Sequence, residues 1–138
     1  MPLERVARRA TWLLSRANLR AQALLGEAFA AEGLRGYHFR LLAALDQYGP
    51  SSQAALGRNT GIDRSDVVAA LNELVDGELV RREPDPADGR RNVVTITKRG
   101  RSTLDRLDTA LDGVQAAVLE PLTPNERTTF VRLLGKLV

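Results

Sequence analysis

Residues 51–100 read SSQAALGRNTGIDRSDVVAALNELVDGELVRREPDPADGRRNVVTITKRG, and they divide into a helical half and a strand half. A first short helix is expected over residues 53–58, and Thr60, Gly61 and Ile62 turn the chain. Asp63 then caps a second helix over residues 64–76. Its carboxylate can accept from an orphan N–H of the first turn, and Asp66 adds negative charge at the positive helix end. Val67, Leu71 and Leu74 fall at i, i+4 and i+7 and form one buried stripe, while Arg64, Ser65, Asn72 and Glu73 lie largely off it. A short, half-exposed helix after a glycine-containing turn has the geometry that enters a DNA major groove. Next comes a β-like run over 79–83, then a strand over 92–97 in which Val93 and Thr95 alternate with Val94 and Ile96. Between them, residues 84–91 hold two prolines and an Asp-Gly pair, which is hairpin-tip chemistry. The tip ends in Arg90-Arg91, placed to reach a minor groove or the phosphate backbone. Arg81 and Arg82 alternate faces along a strand, so one of the two is expected to meet phosphate.

These residues carry a resemblance. Asp88-Gly89-Arg90, followed by Val93-Val94-Thr95-Ile96-Thr97 and Gly100, resembles the wing signature of the MarR family of bacterial transcriptional regulators. Leu71, Leu74, Leu79, Val80 and Arg81 match the end of that family's recognition helix and the strand after it, and the likeness extends over nearly the whole chain. It implies that Arg90 inserts into the minor groove and that Asp88 orients it. Two departures stand out. Glu78 occupies the place where the family usually has glycine, with Gly77 one residue early, and Val68-Ala69 replaces a common Thr-Arg pair on the recognition helix. Gly57 also interrupts the first helix of the motif where alanine is usual; tight helix packing is one explanation for it.

Outside the motif, residues 3–31 read as one long helix with Val6, Ala10, Leu13, Ala17, Leu24 and Ala28 on an apolar stripe and Arg5, Arg9, Arg16 and Arg20 towards the other side. A helix of that length exceeds what a small domain covers alone, so packing against a partner subunit is expected, chiefly from the resemblance; the blander reading is a long helix lying along its own domain. Residues 37–47 form a further helix with Leu41, Leu42 and Leu45 inward. Thr97 caps a helix over 98–119, whose Leu104, Leu107, Leu111, Val114 and Val118 repeat by threes and fours as in two helices packed side by side; an internal core helix would use them equally well. Thr123-Pro124-Asn125-Glu126 is a capping box with proline at the first helical position, opening an apolar last helix. The expected fold is mainly α with a small β wing: a winged helix-turn-helix core over about 34–97, plus N- and C-terminal dimerisation helices over about 3–31 and 98–138, in a single MarR-like domain spanning 1–138.

Composition narrows the function. The formal charge is only +3, and lysine plus arginine balance aspartate plus glutamate within 51–100, so a nucleic-acid reading rests on placement at the wing rather than on bulk charge. No cysteine is present, which excludes disulfides, thiolate zinc and thiol redox sensing by this chain. No apolar run is long enough to span a bilayer and the N-terminus lacks a signal-peptide pattern, so a cytoplasmic protein is expected. A single histidine, His38, leaves no zincin or histidine-based triad; no catalytic residue, metal site or cofactor is expected, and the chain is not read as an enzyme.

The expected partners are double-stranded DNA carrying a pseudo-palindromic operator and a second copy of the chain, with repression as the output. Arg64, Ser65, Ala69, Asn72, Asp88, Arg90 and Arg91 are the expected DNA-binding residues. A small aromatic or anionic effector is implied by the resemblance, with Trp12, Arg16, Tyr37 and His38 as candidate contacts. For Trp12 the blander reading is a core or interface aromatic, and for His38 a solvated or capping residue. The alternative function is a winged helix used for protein–protein interaction with no DNA role, which has no need for arginines at the wing tip.

Overall fold

The computed structural model describes residues 3–138. In chain order its elements are α1 (Glu4–Ala7), α2 (Ala10–Ala30), α3 (Gly36–Tyr48), β1 (Ser51–Ser52), α4 (Gln53–Thr60), α5 (Arg64–Asp76), β2 (Val80–Pro84), β3 (Asn92–Ile96), α6 (Lys98–Val118) and α7 (Pro124–Gly135). The architecture is mainly helical with one small antiparallel sheet, as the sequence predicts. Among the described residues no helix is long and apolar enough to cross a membrane.

The sheet has three strands, not two, in the order β1-β3-β2. Ser51 and Ser52 pair with Val94 and Val93, and Ser52 then caps α4, its hydroxyl accepting from the Ala55 N–H at 3.1 Å. A two-residue serine strand has no alternation for a pattern to reveal. At the other end of β3, Thr97 leaves the strand to cap α6, its hydroxyl accepting from the Gly100 N–H at 3.0 Å. Between these limits Val94 and Ile96 point inward with Val80 of β2, onto Leu41, Leu42 and Leu45 of α3, Leu56 of α4, and Val67, Leu71 and Leu74 of α5. Leu104 joins them from α6. Burying each of the larger side chains contributes about 1.5–3 kcal/mol, so this one cluster holds the helix-turn-helix to the wing.

Two backbone positions at the junction of α5, β2 and α6 are tightly constrained. A Cβ on Gly100 would overlap the Leu79 carbonyl oxygen and lie 2.8 Å from Ile96 Cγ1. Only glycine lets the first turn of α6 pass that close to the strand. The end of α5 departs from expectation in an instructive way. The left-handed residue is Glu78, at φ 60°, while Gly77 is right-handed at φ −81°. The Leu79 N–H donates to Leu74 O at 2.9 Å and the Glu78 N–H to Val75 O at 3.0 Å, a Schellman ending. The glycine sits one residue before the position that needs it.

The N-terminal helix is not continuous. It breaks at Arg8-Arg9, and α2 starts afresh with Arg9 in an extended conformation. Arg9 turns its guanidinium onto the Arg5 carbonyl at 3.0 Å, an acceptor freed at the end of α1. Beyond the break α2 lies antiparallel to α6 of the same chain. Arg20, expected on the outer side, donates to the Ala117 and Val118 carbonyls at 2.8 and 3.1 Å and so closes the C-terminal end of α6, where a cation is favoured. At the opposite end Arg106 pairs with Glu32 at 3.1 Å. Leu104, Leu107 and Val114 are buried, so the α6 seam serves its own chain. By contrast α7 buries none of its residues, and Trp12, Leu13, Leu14 and Leu19 of α2 remain exposed alongside Phe130, Val131, Leu133 and Leu137 near the C-terminus. The capping box of α7 forms as expected: Thr123 accepts from the Glu126 N–H at 3.2 Å and its own N–H donates to Glu126 Oε1 at 2.9 Å.

Candidate nucleic-acid interface

The site is built on α4, the turn after it and α5. Gly61 ends α4 at φ 69°, the left-handed geometry that reverses the chain in three residues. Asp63 follows as the expected cap. Its Oδ2 accepts from the Ser65 hydroxyl at 2.7 Å and from the Ser65 N–H at 3.3 Å, and these bonds, the hydroxyl first, hold its carboxyl below the usual carboxylate range. Arg64, Ser65, Ala69 and Asn72 are all exposed, and Val68 is half-buried. The expected reading face is therefore open, although the Ser65 proton is already directed at Asp63. The interior Gly57 has no packing reason: a Cβ there would stand 3.6 Å from Ile62 O and 3.9 Å from Val67 Cγ2, ordinary contact distances.

The wing tip is organised by carboxylates. Asp85 Oδ1 accepts from the Ala87 N–H at 2.8 Å, and Asp88 Oδ1 accepts from the Arg90 N–H at 3.1 Å and from Arg90 Nε at 3.4 Å. Arg91 Nε lies 3.8 Å from the other oxygen of Asp88. One carboxylate thus faces both arginines, while the Arg90 side chain stays 93% exposed. A solvated pair of this kind adds little to stability, so its effect is on where Arg90 points.

Two hollows connect the wing to α5. One, of about 580 Å³, lies between α4 and α5 and is lined by Gln53, Gly57, Arg58, Asp63, Arg64 and Val68 among others. The second, of about 320 Å³, is lined by Ser52, Gln53, Ala54, Arg58, Arg90, Arg91 and Asn92. Gln53, Ala54 and Arg58 line both, so the two hollows adjoin along α4, with Arg64 bordering one, Arg90 and Arg91 bordering the other and Arg58 bordering both. Sequence reasoning misses Gln53 and Arg58. The one available signal is a basic residue in the last turn of α4. Of the strand arginines, Arg81 is exposed while Arg82 is half-buried and bonded to Asn72 and Gln53.

The four candidate effector contacts do not gather around one cavity in this chain. Trp12 is 41% exposed, with the Arg16 guanidinium over its ring at 5.6 Å. Tyr37 is covered by Arg40 at 5.1 Å. His38 is buried, not solvated; its Nδ1 accepts from the Arg35 N–H at 2.9 Å and so caps α3, the capping half of the blander expectation. Its Nε2 makes no hydrogen bond and lies 3.4 Å from Glu73 of α5, a carboxylate that also pairs with Arg35 at 2.5 Å. Burial, above all, lowers the His38 pKa below its ordinary value; Glu73 opposes that shift and Arg35 adds to it. A cavity of about 250 Å³ opens beside His38, lined also by Glu32, Leu34, Glu73, Arg99 and Arg106 but not by Trp12, Arg16 or Tyr37.

Comparison with known proteins agrees with this geometry. A family model described as MarR family matches residues 32–91. The HTH-type transcriptional repressor NicR of Pseudomonas putida is 31% identical over 126 residues, covering 91% of this chain and 80% of the repressor. The crystal structure of a probable transcriptional regulator from Pseudomonas aeruginosa superposes with a TM-score of 0.83 at 31% identity, over 96% of this chain and 98% of that one. BpsR of Bordetella bronchiseptica, a protein whose DNA binding is regulated by 6-hydroxynicotinic acid, superposes with a TM-score of 0.80 at 28% identity, over 95% and 94% of the two chains.

Proposed function

This chain belongs to the MarR family, and on that premise we propose that it is a sequence-specific transcriptional repressor acting as a homodimer on a pseudo-palindromic operator. The observation that carries the reading is the pair of adjoining hollows along α4, with Arg64 bordering one, Arg90 and Arg91 bordering the other and Arg58 bordering both. A recognition helix with a basic wing beside it is the arrangement that meets a major groove and the backbone next to it, and the residues proposed to meet DNA are Arg64, Ser65, Ala69, Asn72, Arg90 and Arg91, with Asp88 aiming Arg90. Homodimerisation is supported by the apolar side chains that α2 and α7 leave uncovered, which a second copy would bury.

The test is fluorescence anisotropy with promoter DNA flanking the protein's own gene, over a salt series and against scrambled DNA. Preferential binding with a steep salt slope is expected. Replacing Arg90 with Ala should weaken binding to all sequences; unchanged affinity refutes the wing assignment. Equal weak binding of the wild type to both DNAs leaves an operator elsewhere or the protein-interaction alternative, which a pull-down for partners separates.

A small anionic aromatic effector is proposed to bind between the helical arm and the winged helix, using Trp12 and Arg16 from α2 or Tyr37 and His38 from α3, and to shift the spacing of the two α5 helices. The regulation of BpsR by 6-hydroxynicotinic acid makes that compound the first to try. A ligand-dependent rise in melting temperature with loss of DNA binding is expected; neither effect with a panel of aromatic carboxylates argues for a constitutive repressor.

A further inference from the structure

Arg82 is the one wing-strand residue that reaches the helix-turn-helix through polar contacts of its own side chain. It stands opposite Val94 in the β2–β3 ladder, and directly opposed residues share a face, so it points towards the helices while Arg81 and Glu83 point outward. There its Nη2 donates to Asn72 Oδ1 at 2.7 Å and its Nη1 to Gln53 Oε1 at 3.4 Å. A guanidinium has donors and no acceptor. The amide atom of Asn72 that meets it is therefore the oxygen, because the reversed amide would set donor against donor.

We infer that Arg82 is a positioning residue that fixes the Asn72 amide, so that Asn72 presents its NH2 to DNA and reads a guanine acceptor edge. The inference rests on the DNA-binding reading above. A free asparagine prefers adenine, using its oxygen on N6–H and its nitrogen on N7. With the oxygen turned to Arg82, the two-handed pairing with adenine is blocked and the NH2 is the edge left for DNA; guanine offers it two acceptors, O6 and N7, in the major groove. Arg82 acts through Asn72 and is not itself a phosphate contact, although its charge and place beside the wing suggest one.

Binding sites selected from a randomised duplex library, followed by anisotropy titrations on single-base variants of the selected site, test this with four variants. The wild type is expected to select guanine at one symmetry-related pair of positions. Asn72→Ala should lose that preference, by ~10-fold, the scale of one base-specific contact. Asn72→Asp keeps the acceptor for Arg82 but removes the donors, so it should lose the same preference while retaining the fold. Arg82→Met should relax guanine towards adenine at those positions without changing the salt slope, and Arg82→Lys, which still donates to Oδ1, should restore guanine. The inference is overturned if Arg82→Met weakens all sequences alike and lowers the salt slope by about 1, the mark of a phosphate contact. It is equally overturned if Asn72→Asp keeps every base preference of the wild type. Should Arg82→Met not fold, the Asn72→Asp and Arg82→Lys results still decide between these outcomes. A wild type with no sequence preference overturns the functional reading itself, which is distinct from a specific wild type whose preferences ignore Asn72.

Discussion

Exchanging the residue types at the end of α5, Gly77→Ala with Glu78→Gly, should make the protein more stable. Glu78 holds a left-handed conformation at φ 60°, which costs an L-residue about 1–2 kcal/mol, and Gly77 holds a right-handed one that alanine accepts freely. A Cβ on Gly77 would meet Glu73 O at 3.6 Å and Leu79 Cγ at 3.7 Å, both ordinary contacts. The double variant removes one glycine and adds one, so the glycine contributions to unfolded-chain entropy largely cancel and the strain relief stands alone. Two smaller effects remain. The Glu78–Arg99 pair is lost, but at 3.7 Å between side chains 81% and 69% exposed it contributes close to nothing. A negative charge also leaves a helix C-terminus, which is favourable. The net expectation is about 1–2 kcal/mol of added stability, or roughly 3–8 °C in Tm for a domain of this size. Urea and thermal unfolding at matched protein concentration measure it, since assembly would make Tm concentration-dependent. Glu78→Ala is the control: it keeps a Cβ in the left-handed position and should gain little. A swap that lowers stability, or a Glu78→Ala variant equal to Glu78→Gly, refutes the strain argument.

Three further outcomes follow from the geometry. Gly57→Ala has room for its methyl group and should stabilise by about 0.5–1 kcal/mol, read from the shift in urea midpoint. Gly100→Ala meets the Leu79 carbonyl and Ile96 and should cost more than about 2 kcal/mol, with circular dichroism melts showing the loss; a neutral result means that the first turn of α6 moves aside easily. Burial lowers the His38 pKa in the folded chain, so near pH 6.5 the unfolded state takes up a proton that the native state does not. Stability from this group is therefore complete above about pH 6.5 and declines as the pH falls towards the folded value, and His38→Asn should flatten that part of the urea-midpoint profile. NMR titration of the chain's single histidine checks the direction directly: an apparent pKa above 6.5 would mean that Glu73 outweighs burial.

The parts legible in the sequence are those written in local chemistry. Helix α5 is found to its ends because Asp63 marks its start and Val67, Leu71 and Leu74 mark its inner face. The capping box at Thr123 and the cap at Thr97 are legible for the same reason. What is missed depends on a partner distant in sequence. β1 exists only because Val93 and Val94 are there to pair with it. Arg20 looks solvated until the carbonyls of Ala117 and Val118 are brought beside it. Arg81 and Arg82 are equal candidates for phosphate until Asn72 and Gln53 occupy the Arg82 guanidinium, and Arg58 gains meaning only when the wing folds beside α4. The break at Arg8-Arg9 is not legible locally, because the apolar stripe of Val6, Ala10 and Leu13 runs straight through it.

The two clasps between α2 and α6 give the arm a mechanical character. Arg20 locks one end of the pair and the Glu32–Arg106 bridge locks the other. Two antiparallel rods packed along their overlap and clasped at both limits of it resist sliding past each other, so the overlapping segments turn as one beam. Their amides should then exchange with solvent as a single cooperative unit, separate from that of α7. A beam of that kind carries a displacement along its length, and because Gly100 and Leu104 seat the start of α6 against the winged-helix core, a shift of the arm is delivered directly to β2, β3 and α5.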